Sequence, residues 1–167
     1  NVNAKKLLDI FNGSFKIDDK GNTIKYHKLI NPQKKIQPFV KKLTGISNEM
    51  LIDKPIFSDL AIEIDEFTKG SIFVAHNVKF DYRVLKKEFD RINKKFKRKT
   101  LCTIELSKKV FPDKKSYSLG KLVSSLGIDM KNRHRADGDA EATLHLFKKI
   151  SKYLKKKEFL IFLRDKQ

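Results

Sequence analysis

Apolar and polar positions alternate on both sides of a polar turn near the start of the chain. Phe15-Lys16-Ile17 and the run from Thr23 to Ile30 flank Asp18-Asp19-Lys20-Gly21-Asn22, a pattern that predicts a β-hairpin. Asn31-Pro32 ends it, because proline has no N–H for a ladder. Residues 7–11, apolar except for Asp9, are expected to form a strand. From Pro38 the spacing turns helical: Phe39, Val40 and Leu43 lead to a break at Thr44-Gly45-Ile46, and Ser47 opens a short second helix. Ser58 is the expected N-cap of a helix over 59–68, with Leu60, Ala61, Ile64 and Phe67 on its core face and Gly70 ending it.

Ser71-Ile72-Phe73-Val74-Ala75 is almost wholly apolar, as expected of a central parallel strand buried on both faces. Asp81 then opens a helix with the stripe Tyr82, Leu85, Phe89 and Ile92. The basic run 94–99 reads as a solvated loop able to touch phosphates. Residues 100–103 read as a strand and 104–110 as a helix stopped by Pro112. Ser116 or Ser118 caps a helix facing inward through Leu119, Leu122, Val123 and Leu126, ended by Gly127. A last long helix is marked by Ala140, Thr143, Leu144, Phe147, Ile150 and Leu154, followed by a basic helical tail over about 151–167. The tail's apolar residues, Phe159, Leu160, Phe162 and Leu163, are expected to pack on the domain ahead of any partner. Strands alternating with helices predict an α/β fold with parallel members, whose sites gather at the carboxyl ends of the strands.

Composition changes this picture little. The 167 residues suit one domain, 1–167, and 40% hydrophobic content supports a real core. The single cysteine, Cys102, excludes a disulfide framework and a cysteine zinc cluster and suits a reducing, cytoplasmic setting. No apolar run approaches a membrane span, and no signal peptide is visible. A net charge of +18 favours polyanions. The excess of 32 lysines over 6 arginines also follows from an AT-rich coding sequence, so the charge is supportive only.

Chemistry concentrates in Asn132-Arg133-His134-Arg135-Ala136-Asp137-Gly138-Asp139, which runs into the last long helix. A histidine in the entry loop and Asp139 at the helix start suggest a metal-bound water and a base to deprotonate it. Asp81 lies just past a parallel strand, so two aspartates and a histidine can converge on one crevice. Carboxylates holding two metal ions roughly 3.5–4 Å apart can activate water and stabilise the leaving oxygen of a phosphodiester. Magnesium and manganese prefer the oxygen donors that Asp81 and Asp139 supply. His134 is suited to accept a proton near neutral pH, and Arg133 and Arg135 to neutralise phosphate. Each residue also has a plain reading, Asp81 as a helix cap and His134 as a surface side chain.

His76-Asn77-Val78-Lys79-Phe80-Asp81 and His134-Arg135-Ala136-Asp137-Gly138-Asp139 resemble the second and third motifs of the DEDDh exonucleases, the family of the proofreading epsilon subunit of bacterial DNA polymerase III. Leu43-Thr44-Gly45-Ile46-Ser47, Leu101-Cys102-Thr103 and Ser116-Tyr117-Ser118-Leu119-Gly120-Lys121-Leu122 match in order and spacing. The resemblance implies a ribonuclease H-like mixed sheet flanked by helices and removal of nucleoside monophosphates from a 3′ end. It implies His134 as general base, Asp139 as ligand of the catalytic metal and Asp81 as serving a second, with Mg2+ or Mn2+ as the ions. Asn77 would approach the terminal nucleotide, and Leu43 with Thr44 would pack on its base or sugar.

The family's first motif, Asp-x-Glu-Thr, has no counterpart here. Asp9-Ile10-Phe11 keeps an aspartate but has Phe11 where glutamate belongs. The alternative alignment matches residues 1–6 to the polar loop after that motif, which makes Asp9 structural and places the central first strand upstream or leaves it missing. A sheet without its central strand would bury unpaired backbone groups unless something substitutes. A chain beginning truly at Asn1 would hold part of the metal site and show little or no catalysis.

The leading expectation is a metal-dependent 3′–5′ exonuclease on single-stranded or frayed DNA 3′ ends, in proofreading or repair. The alternatives are a catalytically inactive nucleic-acid-binding or polymerase-associated module on the same fold, and a 3′–5′ exoribonuclease.

Overall fold

The computed structural model describes residues 2–130 and 136–165. Its first element corrects an expectation. Residues 7–11 belong to helix α1 (Val2–Asn12), not to a strand. Ala4, Leu7, Leu8 and Phe11, spaced three and four apart, are all buried, and a strand would turn neighbours Leu7 and Leu8 to opposite faces. Lys5 and Asp9, also four apart, join at 2.7 Å along the same helix.

The hairpin forms as expected from β1 (Ser14–Ile17) and β2 (Thr23–Tyr26), antiparallel with Ser14 opposite Tyr26. Asp18 Oδ1 accepts the Lys20 and Asn22 N–H groups and so shapes the turn. Helix α2 (Pro38–Thr44) ends at Gly45 with φ 75°, and Ser47 Oγ caps α3 (Asn48–Leu51) by accepting the Met50 N–H. Helix α4 (Phe57–Thr68) starts one residue ahead of Ser58. Its cap is supplied from within, Asp59 accepting the Ile56 N–H at 3.1 Å.

Strand β3 (Phe73–Ala75) leads to α5 (Val78–Arg91), and β4 (Lys99–Cys102) to α6 (Thr103–Val110). β3 and β4 are parallel, Val74 facing Leu101, and β5 (Arg164–Asp165) adds antiparallel to β4. The order β3-β4-β5 corrects the expectation that β3 is central and doubly buried. It is an edge strand among the described residues, and its three residues are only partly buried. The hairpin is a separate sheet. Helix α1 packs on α5 and on α8 (Ala136–Ser151), and its Phe11 carbonyl accepts the Lys28 N–H beyond the hairpin.

Two apolar clusters make the core. One joins α1, the hairpin, α4 and α5, with Phe11 edge-on to both Tyr26 and Phe57. The other joins α6, α7 (Leu119–Ser125) and α8. The buried face of α8 is Ala142, Leu146 and Ile150; of the expected stripe, Ile150 is buried and Phe147 packs on the cluster, while Ala140, Thr143 and Leu144 are only half-buried. Leu154 packs against the cluster, as do Phe159 and Phe162 of α9 (Lys156–Phe162), while Leu160 and Ile161 face solvent. The loop 94–98 is less solvated than its lysines suggest. Phe96 is buried, and Arg98 donates to Asp65 Oδ1 at 2.6 Å and to the Thr68 carbonyl at 3.1 Å. No helix of the described residues is long and apolar enough to cross a membrane.

Candidate active site

The parallel strands β3 and β4 end side by side, and three of the motif segments meet there. His76 follows β3 directly. Its Nδ1 lies 2.7 Å from Thr103 Oγ1 at the start of α6, and its Nε2 lies 2.6 Å from the Tyr117 carbonyl ahead of α7. A carbonyl only accepts, so Nε2 carries the proton, and Nδ1 of the neutral ring accepts a hydrogen bond from the Thr103 hydroxyl. Burial holds the His76 pKa below its ordinary value, with the Tyr117 carbonyl opposing.

Asn77 sits in the left-handed region, φ 70°, at the N-terminus of α5, and its side chain is exposed. A non-glycine residue tolerates this best as Asn. The turn it makes brings Asp81 into the first turn of α5.

Asp81 is largely buried. Oδ1 lies 3.4 Å from Lys6 Nζ of α1, and buried Oδ2 has no hydrogen-bond partner among the described residues. Burial raises the Asp81 pKa; Lys6 opposes this, and the charge of Asp9 adds to it. Asp9 is raised in the same way by burial, against Lys5 and Lys6, and further by the charge of Asp139. Asp9 of α1 therefore shares one field with Asp81 of α5 and Asp139 of α8. Asp139 is half-buried in the first turn of α8, its carbonyl accepting the Thr143 hydroxyl at 2.9 Å.

Asp81 on α5 and Asp139 on α8 each lie on a helix packed against α1, which carries Asp9, the aspartate that the preferred alignment made structural. Lys5, Lys6 and the tie made by His76 were not anticipated. The four-residue spacing of Lys5 and Asp9 was the available signal for the first. His134, with Arg133 and Arg135, lies outside the described residues. Leu43 is exposed on α2. Thr44 is buried, and its hydroxyl is committed to the Val40 carbonyl at 2.7 Å and the Ile46 N–H at 3.2 Å.

A divalent ion suits these residues in kind. Carboxylates are hard oxygen donors, and the orphaned Asp81 Oδ2 is an acceptor such an ion would satisfy. The described residues supply only part of a shell, since no three His, Cys, Asp or Glu side chains among them gather closely enough to hold a metal.

Comparisons with known proteins bear on this arrangement. Over 122 residues, 72% of the chain, it is 43% identical to the 3′–5′ exonuclease DinG of Staphylococcus epidermidis and 42% identical to that of Staphylococcus saprophyticus. The match spans 14% of the length of each of these relatives. A solved structure of exonuclease X in complex with 5′ overhanging duplex DNA superposes with a TM-score of 0.63 at 22% identity, covering 88% of this chain and 86% of that one. It supports the ribonuclease H-like α/β fold. A family model for exonucleases, RNase_T, matches residues 12–147, a span that includes β1 through most of α8 and both Asp81 and Asp139. The chain belongs to this exonuclease family, as its DEDD-type motifs led us to expect.

Proposed function

We propose that residues 1–167 form one metal-dependent 3′–5′ exonuclease domain, which releases nucleoside monophosphates from single-stranded or frayed DNA 3′ ends in proofreading or repair. The observation that carries this reading is the family match over residues 12–147, a span that holds both Asp81 and Asp139.

Divalent ions, two of Mg2+ or Mn2+, would supply Lewis acidity toward the scissile phosphate. Asp81 and Asp139 would hold them. His134 would accept the proton of the attacking water. Exposed Asn77 would meet the terminal nucleotide, and Leu43, with Thr44, its base or sugar. With the Thr44 hydroxyl already satisfied, Leu43 would make the larger contact. The net charge of +18 supports attraction to the phosphate backbone. The setting is cytoplasmic, and association with a DNA polymerase, as for epsilon-like subunits, belongs to the same proposal.

A second reading is a catalytically inactive nucleic-acid-binding module on the same fold. The lysines paired with Asp9 and Asp81 favour it. End-labelled DNA and RNA oligonucleotides incubated with Mg2+, Mn2+ or EDTA, beside His134→Ala and Asp139→Ala, separate the readings. The exonuclease reading expects a metal-dependent ladder shortening from the 3′ end that both variants lose. Binding without cleavage supports the module, and preference between DNA and RNA identifies the substrate.

A further inference from the structure

Helix α1 carries a cation to each of two carboxylates in the cluster. Lys5 Nζ pairs with Asp9 Oδ2 at 2.7 Å within the helix. Lys6 reaches across to α5, where its Nζ lies 3.4 Å from Asp81 Oδ1 and 5.5 Å from the centre of the Phe80 ring. The Lys6 side chain is 25% exposed and that of Asp81 13%, so water screens this pair less than a surface pair. Asp81 nevertheless stays half-satisfied, one oxygen facing an ammonium and the other buried without a partner among the described residues.

We propose that Lys6 is the built-in competitor of a divalent cation at Asp81. Its ammonium neutralises the carboxylate when no metal is bound and withdraws when one binds, so that Lys6 sets the metal affinity of the site. The inference rests on reading Asp81 as a metal-holding residue. An ammonium and a dication repel each other, and both cannot lie against the same buried carboxylate without a cost neither pays alone. The two differ in reach. Lysine is a point charge on a flexible four-carbon stem, and a quarter-exposed side chain has a path to water. Asp81, 13% exposed in the first turn of α5, sits on a shorter stem that cannot withdraw as far. The metal would also satisfy Oδ2, which Lys6 leaves unpartnered.

The test is Mn2+ titration of the EDTA-stripped chain by calorimetry, without substrate, for wild type, Lys6→Met, Lys6→Gln and Lys6→Arg. Circular dichroism establishes that each is folded. Lys6→Met and Lys6→Gln are expected to bind Mn2+ about tenfold more tightly, as for removal of one partly buried competing charge pair. Lys6→Arg, which keeps the charge, should stay near wild type. In the wild-type protein, Mg2+ should shift the NMR signal of the Lys6 ε-methylene. Unchanged or weaker affinity in the two neutral variants overturns the inference, and so does a Lys6 signal unmoved at saturating Mg2+. Absence of metal binding in all four proteins instead overturns the metal reading of Asp81, and the inference with it.

Discussion

Replacing His76 with leucine keeps the bulk of the side chain and removes both of its hydrogen bonds. The two partners are not equally exposed to the loss. Thr103 Oγ1 has a second acceptor, the Ala75 carbonyl at 3.4 Å, to which its proton can turn. The Tyr117 carbonyl loses the Nε2–H donor 2.6 Å away. One net hydrogen bond, about 1 kcal/mol, and one stranded acceptor, about 1–3 kcal/mol, sum to about 2–4 kcal/mol. For a domain of this size that is a fall of roughly 4–16 °C in Tm. Urea denaturation at pH 8 measures it. The pH dependence is a second check. Burial holds the folded-state pKa of His76 below 6.5, so the unfolded chain takes up the proton first. The stability from this group is full above about 6.5 and is lost as pH falls through the folded value. The leucine variant lacks that loss, so the gap to wild type should narrow between pH 8 and pH 5. A change below 0.5 kcal/mol, or a gap that widens in acid, would refute the proposed tie between β3, α6 and the Tyr117 loop.

Three further predictions follow from single contacts. Phe11→Ala should cost about 3–5 kcal/mol by urea denaturation, because Phe11 is fully buried against Tyr26 and Phe57; a small cost would argue against α1 as part of the core. Asp81→Asn should raise Tm at pH 7 in EDTA while abolishing nuclease activity. The folded pKa of Asp81 is raised above 3.8, so its contribution is full below 3.8 and lost as pH rises through the folded value; the gain should therefore shrink toward pH 4, and a lower Tm at pH 7 would contradict it. Arg98→Lys should cost about 2 kcal/mol in the same denaturation assay, because a point charge cannot span Asp65 and Thr68 as the guanidinium does.

The elements whose apolar spacing is decided within one helix or hairpin were legible in the sequence. The hairpin turn, the break at Gly45 and the stripe Tyr82–Leu85–Phe89 all follow from local pattern, and the alternation of strands with helices announced the parallel members of the sheet. Residues 7–11 failed because a short apolar run fits either period; Ala4 and the Lys5–Asp9 spacing, just outside that window, would have decided for a helix. For α8 the later part of the stripe, Phe147, Ile150 and, just past the helix, Leu154, was legible, but its start was misjudged because Thr143 and Leu144 resemble core residues while small Ala142 carries no pattern weight of its own. The motifs located Asp81 and Asp139 in the chain. The cation paired with Asp81, Lys6, comes from another helix some seventy and more residues away, and no local pattern reports such a pairing.

The most direct measurement places a radiolabel in the 3′-terminal nucleotide of single-stranded DNA and follows the released product with Mn2+ for wild type, Asp81→Ala and Asp139→Ala. Label should be released as free nucleoside monophosphate by the wild type alone. Release of equal amounts by all three proteins, or of longer labelled fragments, would contradict it.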